Sequence, residues 1–265
     1  MISALSVRSI KIEAINQHNN KPMGKATGFF CKYKTQQFFI TNWHVVTGLN
    51  PYTNKSETGA RPGLLRCKTI AKNPEKEAVN GITPSQVVEF DLPLYEETGE
   101  PSWIEHPEYG QTVDVVAIPI EGNQEVLHVY DVEDEIKRLQ SLTVMSKVFI
   151  IGFSLGEKQT NNYFPIYKGA TVASEPTEHL AEPRVHLDSK TKPGMSGSPV
   201  VCEHQDPPKM EGTNIVFPQI TYSLVGVYAG RDGIPADEYT AELGRMYPIK
   251  ECLIPILETT IVKEF

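Results

Sequence analysis

Three residues in this chain could do chemistry together. Ser196 lies in "TKPGMSGSPVV" (Thr191 to Val201), a glycine-rich loop that runs straight into a strand-like segment. An ordinary loop accepts many polar residues at such a place. A nucleophile is more demanding, because the backbone must expose the hydroxyl and turn two amide N–H groups toward one point. A serine attacks a carbonyl only when a base removes its proton, and that base is held by a third group. His44, in "FFITNWHVV", and Asp114, in "GQTVDVVAIPI", are of the right types. Alone, each has an ordinary explanation: a rim histidine, a turn-capping aspartate, a tight glycine turn. Together they run in the order His, Asp, Ser, each at the mouth of a predicted strand, and that combination points to acyl transfer. Asp91 and Glu89 are the other acids that could stand behind the histidine. An α/β-hydrolase esterase does not fit: its G-x-S-x-G elbow precedes the acid and the histidine, whereas here both come before the serine.

The elements that must position these residues are short β-branched and aromatic runs broken by Gly, Pro and Asn. They are "ATGFFCKY", "QQFFITNWHVV", "VDVVAIPI", "KVFIIGF", "YFPIYKGATVAS", "PRVHLDS", "SGSPVVCE" and "YSLVGVYAG". Many short strands with few helical periods between them indicate an antiparallel all-β architecture. Residues 50–62 read as a surface loop, and 71–110 as an insertion with one strand at "SQVVEF". The segment "HQDPPKMEGTNIVFPQ" reads as a long hairpin excursion. Helices are expected at "VEDEIKRLQSL" and in the tail "YPIKECLIPILETTI". The tail places Ile249, Cys252, Leu253, Ile256 and Leu257 on one face, with Pro255 interrupting it.

Composition sets the outer bounds. The 265 residues are 40% hydrophobic and 22% charged, ordinary values for a globular protein. The formal net charge of −8 argues against non-specific nucleic-acid binding, which needs a basic surface. The first residues lack the basic start and apolar core of a secretory signal. No window approaches the roughly 18 apolar residues of a membrane span. Cys31, Cys67, Cys202 and Cys252 are widely spaced, so reduced, mostly buried thiols and a cytoplasmic location are expected. No histidine spacing pairs with them as a zinc site. Neither metal nor cofactor is expected, and neither nucleic acid nor a membrane is an expected partner.

From about Gly28 to Gly230 the chain resembles the chymotrypsin-fold (trypsin-like) serine peptidases. It is closer to bacterial trypsin-like and HtrA-type peptidase domains than to digestive trypsins. "TGFF" with "ITNWHVV" is similar to the strand pair leading to that family's histidine, and "VDVVAI" to the segment carrying its aspartate. "IIGFSLG" is similar to an early strand and turn of its second barrel, "GMSGSPVV" to its nucleophile loop, and "LVGVYAG" to its substrate-binding strand. The resemblance implies two six-stranded antiparallel β-barrels and a short C-terminal helix in one peptidase domain, 1–265. The first barrel would span about 1–125 with His44 and Asp114. The second would span 140–265 with Ser196 and the helix. It further implies a Ser196 nucleophile, His44 as base and then acid, Asp114 orienting the imidazole, and an oxyanion hole of the Gly194 and Ser196 N–H groups.

Two departures from that pattern stand out. Digestive members carry an acid directly before the serine, which pairs with an amine freed by cleavage; here the residue is Met195. The disulfide beside the family's histidine is absent too, since Val45 follows His44. By resemblance, the primary pocket would be lined by Lys190, Thr191 and the strand Tyr228-Ala229-Gly230-Arg231. Lys190 and Arg231 would favour an acidic or polar substrate residue, Asp188 is the candidate for a carboxylate there, and Tyr228 would shorten the pocket. No PDZ-like module is recognisable. The expected activity is endopeptidase cleavage of proteins or peptides, with an unspecified regulatory partner. The alternative is a peptidase-fold binding module without turnover.

Overall fold

Strand β1 (Ser9–Asn16) shows how the fold is written in its side chains. Ile10, Ile12 and Ala14 are buried while Lys11 and Glu13 remain partly exposed, the period-two alternation of a half-buried strand. The structure is a computed structural model. It describes residues 3–56, 59–71, 87–121, 128–139, 141–154, 164–177, 182–205, 210–211, 214–215, 220–231 and 243–262. The end of "IIGFSLG", much of the 71–110 insertion and most of the hairpin excursion lie outside these.

The first sheet joins β1 to β2 (Pro22–Tyr33), β3 (Gln36–Thr41), β4 (Pro62–Ile70), β5 (Val87–Pro93) and β6 (Val116–Ile120). The order is β5-β4-β1-β2-β3-β6, antiparallel throughout. A short strand β7 (Val129–Asp131) pairs in parallel with Phe30–Lys32 of β2. Side chains from all six path strands meet in one cluster, including Ile12, Phe30, Phe39, Leu65, Phe90 and Ile118, so the sheet curls around it. The second unit is a closed barrel, β10-β15-β14-β11-β8-β9. Its strands are β8 (Lys147–Gly152), β9 (Ile166–Val172), β10 (Val185–Asp188), β11 (Pro199–Gln205), β14 (Ile220–Arg231) and β15 (Leu243–Pro248). The two-residue strands β12 (Met210–Glu211) and β13 (Asn214–Ile215) pair with each other between β11 and β14. The expected pair of six-stranded barrels is therefore one closed barrel and one curled sheet. Among the described residues no ladder joins β5 to β6.

The unbroken apolar run "GFFC" in β2 has a simple cause. Phe30 faces the core of the first sheet, while Phe29 and Cys31 face a second core shared with the barrel. That shared core also takes Val113 and Val115, Ile151, Leu224 and Val227 of the barrel, and the C-terminal tail. In the tail, a π-helical turn over Ile249–Leu253 leads into a helix over Ile254–Val262. Pro255 follows just after that turn, where the Ile254 N–H still reaches back to the Ile249 carbonyl, and interrupts the run of donors because it has no N–H. Ile249, Cys252, Leu253, Ile256 and Leu257 are all buried, the face expected from their spacing.

Between the two units, a helix over Val132–Arg138 is capped by Asp131, whose side chain accepts from Asp134 N at 3.2 Å. Its Glu135 is buried and accepts the Leu224 N–H at 2.7 Å, fixing the helix to β14. Burial pushes the Glu135 carboxyl above its ordinary range, opposed by that bond and by Arg8. Among the described residues no helix is long and apolar enough to cross a membrane.

Candidate active site

His44 stands on a single helical turn, Trp43–Thr47, and not on a strand end. The run "FFITNWHVV" has strand propensity throughout, yet β3 stops at Thr41. Asn42 remains extended, and its side chain donates to the Asp114 carbonyl at 2.6 Å, which redirects the chain. Trp43, Val45 and Val46 then bury in the first sheet's core, and Gly48 closes the turn at φ +71. Tertiary burial has overridden the local preference. His44 points the other way, toward an open cleft.

Asp114 lies two residues before β6 and is fully buried. Its Oδ2 is 2.7 Å from His44 Nδ1, and its Oδ1 accepts the His44 backbone N–H at 3.0 Å. One carboxylate thus fixes both the backbone and the ring of the same histidine. Asp91 and Glu89 are elsewhere. They sit on β5 in exposed ion pairs with Arg66 (3.0 Å) and Lys68 (3.0 Å).

Ser196 precedes β11 in a loop where three successive carbonyls, of Gly194, Met195 and Ser196, are held. The Ser196 carbonyl accepts Thr27 N–H at 2.8 Å, and the Gly194 carbonyl accepts Thr27 Oγ1 at 2.9 Å. The Met195 carbonyl accepts both Ser198 N–H (3.1 Å) and Ser198 Oγ (2.6 Å). Because a trans peptide sets N–H opposite C=O, holding the Met195 carbonyl also fixes the direction of the Ser196 N–H. Gly194 and Gly197 take φ of +100 and +83, left-handed values suited to glycine. At Gly197 a Cβ would overlap the Thr27 carbonyl oxygen. Met195 is buried in the barrel core.

His44 and Ser196 line one cleft of about 340 Å³, together with Ala229, Gly230 and Arg245. Of the residues expected to make the pocket, Ala229 and Gly230 are therefore brought to the site. Thr191 and Tyr228 are buried behind it, with their hydroxyls 2.5 Å apart. Lys190 and Arg231 are exposed, as is Asp188, and none of the three lines the cleft. The charged side chains that do are Lys25 of β2 and Arg245 of β15, and the latter is hidden in the sequence because "LGRMYP" does not read as a strand. Burial works against the Arg245 charge, but Tyr52, Asp114 and Tyr247 outweigh it and raise its pKa. Cys31, Cys67 and Cys252 are buried, which pushes their thiols up and leaves them protonated. Among the described residues no cluster of His, Cys, Asp or Glu could hold a metal ion.

A curled sheet packed on a closed barrel, with a histidine–aspartate pair from one facing a serine loop from the other, is a trypsin-like architecture. Residues 26–206 match the trypsin-like peptidase domain family, and the chain belongs to it. Among solved structures, that of Deg5 is 15% identical, with 92% of this chain and 85% of that chain covered and a TM-score of 0.45. Rv3671c from M. tuberculosis H37Rv, in the inactive form of a serine-to-alanine mutant, is also 15% identical. Its coverage is 97% of this chain and 87% of that chain, with a TM-score of 0.46. No curated protein matches the chain.

Proposed function

We propose that the protein is a serine endopeptidase that cleaves peptide bonds through an acyl-enzyme on Ser196. The observation that carries this reading is the buried Asp114 carboxylate 2.7 Å from His44 Nδ1, with His44 and Ser196 on the same open cleft. His44 Nε2 takes the Ser196 proton as Oγ attacks the scissile carbonyl. Asp114 keeps the proton on Nδ1 and stabilises the imidazolium that forms. The developing oxyanion accepts hydrogen bonds from the N–H groups of Ser196 and Gly194, each such donor lowering the barrier by about 3 kcal/mol. His44 then passes its proton to the leaving amine, and the C–N bond breaks. Water enters, gives a proton to His44 and attacks the ester. Collapse returns that proton to Ser196 and releases the acid product. Substrates are proteins or peptides.

The test is a fluorophosphonate probe on the purified protein, followed by peptide mapping. Labelling at Ser196, absent in Ser196→Ala, is the expected result. Labelling at another residue, or none, would overturn the assignment and leave a peptide-binding module without turnover.

A further inference from the structure

Arg245 brings a positive charge into the cleft beside Ser196. Gly230 lies between the two: a Cβ there would stand 3.7 Å from Arg245 Nη2 and 3.8 Å from Ser196 Oγ. One methyl-sized position therefore touches both the cation and the serine hydroxyl. Nη2 donates to the Ala229 carbonyl at 3.0 Å, and the guanidinium carbon lies 5.1 Å from the centre of the Tyr52 ring. Tyr52 is itself held, donating to Glu182 at 2.9 Å and lying 3.2 Å from the Tyr247 hydroxyl. The contacts to Ala229 and to the Tyr52 ring aim the guanidinium.

We propose that Arg245 is a specificity residue that binds a carboxylate side chain of the substrate, on the residue second before the scissile bond. The inference rests on the peptidase reading above. Strand β14 ends its ladder with β11 at Val227, and the last bonds to the Ser196 loop are made at Tyr228. Beyond them, Ala229 and Gly230 can run beside an extended substrate chain. Successive side chains of such a chain point to opposite sides. With the residue next to the scissile bond turned to the Thr191–Tyr228 side, as the resemblance implies, the one before it would face His44 and the Arg245–Tyr52 wall. A planar guanidinium on the floor of a partly enclosed cleft suits a carboxylate, which it can bind through two parallel N–H groups. Glutamate has the reach; glutamine keeps the shape and loses the charge.

The experiment uses fluorescently labelled peptides with Glu, Gln or Lys at that position and a mixture of small residues at the next. Hydrolysis is measured with wild type, Arg245→Lys and Arg245→Gln, and binding by anisotropy with Ser196→Ala. Wild type should favour Glu over Gln by about tenfold in kcat/KM, mainly through KM. Arg245→Lys should retain part of that preference and Arg245→Gln none. Equal rates for Glu and Gln in wild type would overturn the proposal without reference to any variant. A loss in Arg245→Gln that is uniform across all three peptides would also overturn it, because that is the signature of a strut under Ala229. Glu-dependent binding without hydrolysis would sink the peptidase reading and keep this one. Hydrolysis without a Glu preference would do the reverse, and neither binding nor hydrolysis would sink both.

Discussion

The hydroxyls of Thr191 and Tyr228 lie 2.5 Å apart inside the barrel, joining the loop that leads to Ser196 to the strand behind it. The Tyr228 ring packs over Gly244, where a Cβ would come within 2.8 Å of it. A buried ring so placed fills the space behind the cleft, and cleavage should therefore follow small side chains. A peptide library cut mainly after Phe, Lys or Arg would refute this. Tyr228→Phe should cost about 1 kcal/mol in urea unfolding, and adding Thr191→Val should cost less than the two single changes summed.

Asp114→Asn tests the histidine's support. The amide is isosteric, but it offers N–H to His44 and favours the wrong tautomer, so kcat should fall on the order of 10⁴ near neutral pH. Ser196→Ala and His44→Ala should each be as severe, and the double variant little worse. A loss under about tenfold in Asp114→Asn would mean that the acid contributes little to orienting the base.

Two glycines with positive φ should respond differently to alanine. Gly197 at φ +83 has the Thr27 carbonyl and Thr41 Oγ1 in the way of a Cβ, so Gly197→Ala should unfold the loop or the protein. Gly230 at φ +94 has no contact nearer than 3.7 Å, so Gly230→Ala carries only backbone strain, roughly 1 kcal/mol. Its methyl would nonetheless enter the cleft and lower kcat/KM. Thermal melts and peptide hydrolysis on the same two variants separate these outcomes.

Met195 is 1% exposed in an apolar cluster with Val200, Tyr228 and Met246. Met195→Asp would bury a charge without a partner and should destabilise by several kcal/mol. Met195→Leu should cost under about 1.5 kcal/mol. Active-site titration of both variants checks the loop, since only the leucine form should titrate fully. An aspartate form that titrates like wild type would show that a partner for the carboxylate exists.

Much of this was legible in the residue types. The runs around Phe30, Ile150, Val200 and Val225 mark strands because both faces of each are apolar. The order His44, Asp114, Ser196 and the glycines at 194 and 197 pointed to the cleft. Strands β1, β4 and β15 are hard to see in the sequence because Lys11, Glu13, Arg66, Lys68 and Arg245 interrupt their apolar residues; in β1 the alternation of Ile10, Ile12 and Ala14 is the one signal. The turn carrying His44 looks like strand because β-branched residues dominate it, and only burial of Trp43 and Val46 decides otherwise. Arg245 cannot be placed from sequence, since its route to the cleft depends on the pairing of β14 with β15.

Thr27 belongs to the first sheet, yet its N–H and hydroxyl hold the Ser196 and Gly194 carbonyls of the barrel, and its carbonyl accepts from Thr41. The same hydroxyl also accepts the Phe153 N–H at 3.0 Å. The reactive loop is thus moulded against the other half of the molecule, like a casting against its die. Parting the halves by a small distance releases the mould while every ladder within each half stays intact. Reactivity toward a serine-directed probe should therefore fade on heating before the far-ultraviolet dichroism of the strands does, and a chain still being synthesised would carry no armed serine until its two halves had met.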